Sequence, residues 1–379
     1  LHSTSRRQRQ MCIRDRVSTL LTWERVRSFN VGFDFGAFSN RLTGSFDYFV
    51  RKTVDMVGPA PQLPLVLGIA PAIVNNADMK SYGFEIELSW RDRIGEVDYG
   101  VKFNLADAQQ KVVKYPNTTN AFSDWYAGKM SGEIWGYTSL GIAKTDEEMK
   151  EHLASLPNGG QNQLGNKWGA GDIMYADING DGKVDGGKGT LADPGDQRII
   201  GNSTPRYNFG LVLDTSYKGF DVSIFFQGVG KRDYAPIVGT NGAVFWGAVN
   251  NIWQSMAMEE HFDYFRPEGH PMGANLNGYY PRPDFTSNKN HQVQTRYLQD
   301  ASYIRLKNLQ IGYTLPKQWI NKLHINRCRV YVSGDNLWTG TSLASMFDPE
   351  TLAAGDWGSG KTYPCLLYTS PSPRDPKTS

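Results

Sequence analysis

The feature that most constrains this chain is a strict two-residue alternation of apolar and polar side chains, repeated in segment after segment. Residues 27–38 place Phe29, Val31, Phe33 and Phe35 on one side. Residues 41–52 do the same with Leu42, Phe46, Tyr48 and Val50. A third run sets Tyr82, Phe84, Ile86, Leu88 and Trp90 against Glu85, Glu87 and Ser89. A fourth aligns Val97, Tyr99, Val101, Phe103 and Leu105. A fifth aligns Tyr207, Phe209, Leu211 and Leu213, and a sixth Phe220, Val222, Ile224 and Phe226. Successive side chains of a strand point to opposite faces, so a period of two indicates half-buried strands and argues against helices. The seventh run changes parity: Ile304 and Leu306 lead, then Leu309, Ile311 and Tyr313 follow. One extra residue near Lys307-Asn308 restores the face, which predicts a β-bulge there. The eighth run covers residues 329–338. The expected fold is all-β.

The connections sharpen this. Tight turns are predicted at Ser39-Asn40, near residues 93–96 and at Lys218-Gly219, and residues 316–325 make a modest link. Long connections cover about residues 53–80, 108–205 and 231–299, with a tail after the eighth run. Short and long links alternate, the layout of part of a large antiparallel transmembrane β-barrel with short turns at one end and long loops at the other. A soluble β-sandwich is the alternative. In a barrel wall Phe33, Phe46, Phe84, Leu88, Phe103 and Leu211 stay uncovered by protein, whereas in a sandwich they bury against a second sheet. No run approaches eighteen apolar residues, so no membrane-spanning helix is expected. A mean hydropathy of −0.47 remains compatible with a barrel, because lipid-facing and lumen-facing residues average out. The 19 Tyr, 18 Phe, 10 Trp and 40 Gly suit many turns and aromatic girdles. A formal charge of +2 gives no support for a nucleic-acid partner.

The ends differ from the middle. Residues 1–16 and 365–379 show neither periodicity nor a signal-peptide core, and are expected to be non-native sequence flanking a domain at 17–364. Cys12 and Cys365 fall in those ends, leaving Cys328 alone, so neither a disulfide framework nor a cysteine metal site is expected.

Within the longest connection, D-I-N-G-D-G-K-V-D (177–185) spaces oxygen-bearing side chains as a calcium loop does. Asp177, Asn179 and Asp181 take positions one, three and five. Gly182 supplies the sharp turn, Lys183 its carbonyl at seven, and Asp185 position nine. Position twelve is Lys188 where a bidentate Glu belongs, so a last ligand would have to come from Asp193 or Asp196. The competing reading is a turn held by its own Asx hydrogen bonds. Either role is structural. Upstream, Thr145 and Glu148 stand at capping-box spacing and predict a helix over 146–156.

Trp125, Tyr126, Trp135, Tyr137, Trp168, Phe245, Trp246, Trp253, Tyr279 and Tyr280 crowd the long loops. They would form either stacking platforms for sugars, a partner surface, or a small core of the loops themselves. His152, His261, His270, His291 and His324 lack metal-ligand spacing. Motifs for nucleophilic, nucleotide or phosphate chemistry are missing, and nothing points to a glycosidase carboxylate pair. The chain is not expected to be an enzyme. A secreted calcium-dependent carbohydrate-binding β-protein is the second functional reading, and a glycan-cleaving enzyme the third.

Five motifs in order then carry a resemblance. L-T-W-E-R-V-R-S-F-N-V-G-F-D-F (21–35), L-T-G-S-F-D-Y-F-V-R-K-T (42–53), Y-A-D-I-N-G-D-G-K-V-D (175–185), D-Q-R-I-I-G-N-S-T-P-R-Y-N-F-G (196–210) and A-S-Y-I-R-L-K-N-L-Q-I-G-Y-T-L-P (301–316) resemble the C-terminal barrel of SusC/RagA-type TonB-dependent outer-membrane transporters. The resemblance covers roughly residues 19–364. It implies a sector of a 22-stranded barrel that imports oligosaccharides or peptides through the outer membrane. It also implies energy supplied by TonB, an N-terminal plug, and a SusD-like lipoprotein over the extracellular face. Against that family the signal peptide, TonB box, plug and earlier strands are missing, and a last strand is expected after Pro364. The chain is therefore expected to be a fragment. The 177–185 loop would lie on the extracellular side, where calcium would stiffen it.

Overall fold

In a computed structural model the described residues are 21–59, 74–236, 239–247, 258–284, 288–320 and 325–352. The expectations for residues 1–16 and 365–379, for Trp253 and His324, and for a strand after Pro364 lie outside them.

The strands in chain order are β1 (Arg25–Ala37), β2 (Leu42–Val57), β3 (Asn75–Ile94), β4 (Val97–Lys114), β5 (Glu133–Gly136), β6 (Ser139–Ile142), β7 (Ile173–Tyr175), β8 (Arg198–Asn202), β9 (Arg206–Tyr217), β10 (Phe220–Lys231), β11 (Asp233–Tyr234), β12 (Gln299–Asp300), β13 (Tyr303–Thr314) and β14 (Arg329–Thr341). Eight of them form one antiparallel sheet in the order β1-β2-β3-β4-β9-β10-β13-β14. Each long strand pairs with its nearest long neighbours in sequence, so the sheet is a meander. It is not closed: β1 and β14 are its edges.

The alternation survives in three dimensions because the register is continuous. Phe33 faces Phe46, Phe46 faces Ile86, Ile86 faces Leu105, and Leu105 faces Phe209. One step away, Asp34, Ser45, Glu87, Asn104 and Gly210 line up on the opposite face. One side of the sheet is thus apolar and the other polar. Among the described residues the apolar side has no second layer. Phe33 is 61% exposed, Val332 77% and Leu88 37%, while Phe46, Phe84, Phe103 and Leu211 are half-exposed. A sandwich would have covered these residues.

The bulge falls where the parity change predicts it. Phe225 faces Asn308 and Phe226 faces Leu306, so Lys307 is the extra residue. Opposite, Leu306 faces Trp338 and Asn308 faces Asp335, with Asn336 at φ 52°. The turns are also where expected. Phe38, Ser39 and Asn40 all have positive φ, and Lys218-Gly219 closes β9 to β10 at φ 46° and 91°. The strands run further than the alternation suggests: β3 has 20 residues and β4 ends at Lys114 rather than near residue 107. Their loop-side ends are polar, as in Gln109, Gln110 and Lys111, so they remain paired after the apolar signal stops.

Candidate functional site

The described parts of the connections over 108–205 and 231–299 leave the same end of the sheet and pack together there. Three two-stranded ribbons brace them: β5 with β8, β6 with β7, and β11 with β12. The hydrophobic core of the described chain lies in this loop assembly, not beneath the sheet. It gathers Tyr137, Tyr175 and Val184 from the 108–205 connection and Phe245, Trp246, Phe265, Tyr280 and Tyr297 from the 231–299 connection. Leu343, Met346 and Phe347 join from the segment after β14. Of the loop aromatics named from sequence, Tyr137, Phe245, Trp246 and Tyr280 are buried in this core. Trp125, Tyr126, Trp135, Trp168 and Tyr279 are half-buried. Their first role is to hold the loops, since edge-to-face rings such as Phe245–Trp246 (5.1 Å) and Trp246–Tyr297 (4.9 Å) fill its centre.

A buried ionic cluster joins two of the loops. Asp172, fully buried, accepts from Arg282 Nε at 2.9 Å, Lys289 Nζ at 2.9 Å, Asn290 Nδ2 at 2.9 Å and the Gly169 N–H at 2.9 Å. Lys289 also stands over the Trp168 ring at 5.1 Å. A second cluster fastens the segment after β14 to the polar face of the sheet. Arg305 donates to Asp348 at 2.6 Å and to Glu350, and Lys307 Nζ donates to Glu350 at 2.8 Å. Arg232 Nη2 reaches the Leu352 carbonyl at 2.8 Å. Sequence gives no hint of either cluster, because the partners stand more than 40 positions apart and share no motif.

The 177–185 loop sits on the rim of this assembly. Asp177 accepts from Gly180 N–H at 2.6 Å and Gly182 N–H at 2.8 Å. Asn179 Oδ1 accepts from Asp181 N–H at 2.9 Å, and Asp181 from Lys183 N–H at 3.2 Å. Gly182 has φ 79°, and a Cβ there would lie 2.9 Å from Asn158, so the turn needs glycine. Asp185, buried, accepts the Gly187 N–H at 2.7 Å and pairs with Lys183 Nζ. That ammonium holds the Asp185 carboxyl below the usual aspartate range. Of the two candidates for a last ligand, Asp196 does reach the loop, but as an acceptor for the N–H groups of Ile178, Asn179 and Asp185. Burial pushes its carboxyl up despite them.

The structure thus brings Asp177, Asn179 and Asp181 into one Asx-rich turn, and places Lys183 against Asp185. Among the described residues no group of three or more His, Cys, Asp or Glu is arranged to hold a metal ion. The Lys183 ammonium, also 3.8 Å from Asp181, supplies the positive charge that a bound cation would. As folded, the donor set fits calcium only if Lys183 withdraws.

The helix forms as α1 (Asp146–Ala154) with Thr145 as N-cap, its hydroxyl accepting from Glu148 N–H at 3.1 Å. Glu148 reaches back to Lys144 N–H at 2.6 Å, one residue beyond the capping-box position. Cys328 is a free thiol.

Comparison with known proteins gives a consistent picture. A family model described as "TonB dependent receptor-like, beta-barrel" matches residues 15–337. The TonB-dependent receptor P3 of Formosa agariphila is 29% identical over 348 residues, covering 87% of this chain and 31% of that protein. The TonB-dependent receptor SusC of Bacteroides thetaiotaomicron is 21% identical over 314 residues, covering 79% of this chain and 27% of SusC. Among solved structures, the RagAB peptide transporter superposes with a TM-score of 0.60 at 22% identity, covering 85% of this chain and 32% of that one. The chain spans about a third of the length of the curated relatives it matches.

Proposed function

The chain belongs to the TonB-dependent receptor β-barrel family, and from that premise we propose that it forms a wall sector and surface loops of an outer-membrane importer of nutrient oligomers. The family is one of outer-membrane transporters, not enzymes. The observation that carries the reading is the single-layer meander with one uncovered apolar face, one polar face, and the described long loops gathered at one end. An uncovered apolar face of this extent, opposite a polar face on the same strands, fits a barrel wall in lipid. In this reading the polar face lines the lumen, and the loop assembly meets substrate and a SusD-like surface lipoprotein. TonB acts through the part of the receptor outside this chain. The substrate class is an oligosaccharide or a peptide. The soluble sandwich reading loses its basis, since among the described residues no second sheet covers the apolar face.

The test is uptake of fluorescent oligosaccharides and peptides by cells bearing the full-length receptor. Accumulation of one class, lost without TonB, is expected. Accumulation of neither class, with the receptor present at the surface, overturns the importer reading.

The 177–185 loop carries a secondary proposal, motivated by its glycine-wound turn and its alternating oxygens. Calcium binds through Asp177, Asn179, Asp181 and the Lys183 carbonyl after Asp185 exchanges Lys183 for the ion. Lys183→Gln removes the competing ammonium and should raise calcium affinity in isothermal titration. An absence of calcium heat in both proteins rejects the site.

A further inference from the structure

Resting on the barrel reading, we propose that the outer face of β1–β4 carries a binding belt for the phosphate groups of an anionic outer-leaflet lipid, formed by Arg27, Lys52, Lys80 and Lys111. The register makes these four residues one row. Arg27 faces Lys52, Lys52 faces Lys80, and Lys80 faces Lys111. Neighbouring strands lie ~4.8 Å apart, so the row is about 15 Å wide. Like charges directly opposite one another destabilise a sheet, so four in register need a counter-charge. Among the described residues, the carboxylate that reaches the row is Asp78, 3.7 Å from Lys52 Nζ. Asp55, nearer the rim, is engaged by Arg25. Arg27 and Lys111 are exposed.

The row lies on the apolar face. Two residues along, the next row is Phe29, Val50, Tyr82 and Gln109. Lys80 Nζ lies over the Tyr82 ring at 5.3 Å, which fixes its side of the sheet. From that row down to Ala37, Leu42, Trp90 and Val101, the face of β1–β4 is mostly apolar. The distance is eight residues along the strand, about 21 Å of height at ~3.4 Å per residue and ~40° tilt. That is close to the hydrophobic band of a barrel, and the cation row comes immediately outside it on the loop side.

The opposite border is different. At the turn end three cations meet carboxylates: Arg41 with Asp92, Arg93 with Asp98, and Lys218 with Glu96. Among the described residues of β1–β4, the row of four cations in register stands at the loop-side border, where outer-leaflet headgroups would be. A phosphate-bearing lipid fits both halves of the surface, its acyl chains against Phe29, Val50 and Tyr82 and its phosphate among the cations. Lysine stems that run along an apolar wall with their ammonium at the headgroups suit this placement.

The test uses the full-length receptor in detergent micelles containing bisphosphorylated lipid A, or the same lipid after dephosphorylation. Arg27, Lys52, Lys80 and Lys111 are changed to Gln singly and together. Heat-modifiable migration, read in parallel, reports barrel folding. Expected are retention of the phosphorylated lipid by the wild type, about fivefold weaker retention per cation removed, and unaltered folding. Competing inorganic phosphate should leave retention largely intact. A folded wild type that holds both lipids equally overturns the belt and leaves the barrel reading standing. Displacement by inorganic phosphate at matched concentration overturns the lipid assignment in favour of a free anion. A wild type that shows no heat-modifiable fold overturns the barrel reading, and the belt with it.

Discussion

Asp172 and His291 show how much of the loop assembly rests on single buried side chains. Asp172 is the common acceptor for Arg282, Lys289, Asn290 and the Gly169 N–H, so it joins residues about 110 to 120 positions apart. Asp172→Asn removes the nearer anion of Lys289, 1% exposed and with Asp284 still 3.6 Å away, a change that costs up to about 3–5 kcal/mol when one partner of a buried pair is lost. Hydrogen exchange should accelerate in both loops while the sheet stays protected; unchanged loop exchange would contradict the role. His291 packs against Trp246 with ring centroids 4.2 Å apart and planes tilted by 55°, and burial lowers its pKa to about 4, against the opposing effect of Asp284. A base whose folded pKa is depressed contributes stability that is complete above its unfolded value of ~6.5 and is lost as pH falls toward 4. The full loss is roughly 3 kcal/mol, from 1.36 kcal/mol per unit. Trp246 fluorescence should therefore report loosening of the loop core between pH 6.5 and 4, and His291→Phe should flatten that profile. Neither residue could be singled out from sequence: each is an isolated polar residue whose partners are supplied by chain folding.

At the scale of elements, the bulge is the most consequential feature and the most legible. Lys307 is the extra residue that keeps Leu309, Ile311 and Tyr313 on the same face as Ile304 and Leu306. Deleting Lys307 should send Leu309 to Tyr313 to the polar side and abolish heat-modifiable folding of the receptor, because a one-residue slip exchanges the faces of a strand. Lys307→Ala keeps the register and loses only the link to Glu350, so that variant should fold. If both variants fold alike, the bulge does not set the register. The turns were equally legible, since Asn40 and Gly219 are residue types that tolerate positive φ. The loop-side ends of β3 and β4 were not, because polar residues in a paired strand leave no mark in a hydropathy pattern.

For the whole molecule, the sheet's open edges decide what the chain can do by itself. β1 and β14 each present thirteen residues, with one side of each strand unpaired in the sheet. Unpaired strand edges are very costly in lipid and promote aggregation in water. Residues 21–352 expressed alone should accumulate as insoluble material and show no heat-modifiable band, whereas the same residues within the full-length receptor should be protected in the outer membrane. A soluble, monomeric, well-folded product from the isolated chain would contradict this.

The amino-acid sequence by itself determined the eight long strands, their faces, the bulge at Lys307 and the short-turn, long-loop order. All of these depend on interactions between near neighbours, or on a period of two that every strand must obey. It also located the 177–185 turn, since Asx side chains and glycines act on their own backbone. Only the tertiary structure decided that the loop aromatics form a core, that Asp196 serves the loop from beneath, and that Lys183 occupies Asp185. It alone aligned Arg27, Lys52, Lys80 and Lys111, four cations from four strands. Those outcomes depend on which distant residues meet, and that is set by register and packing across the whole sheet, which no local spacing records.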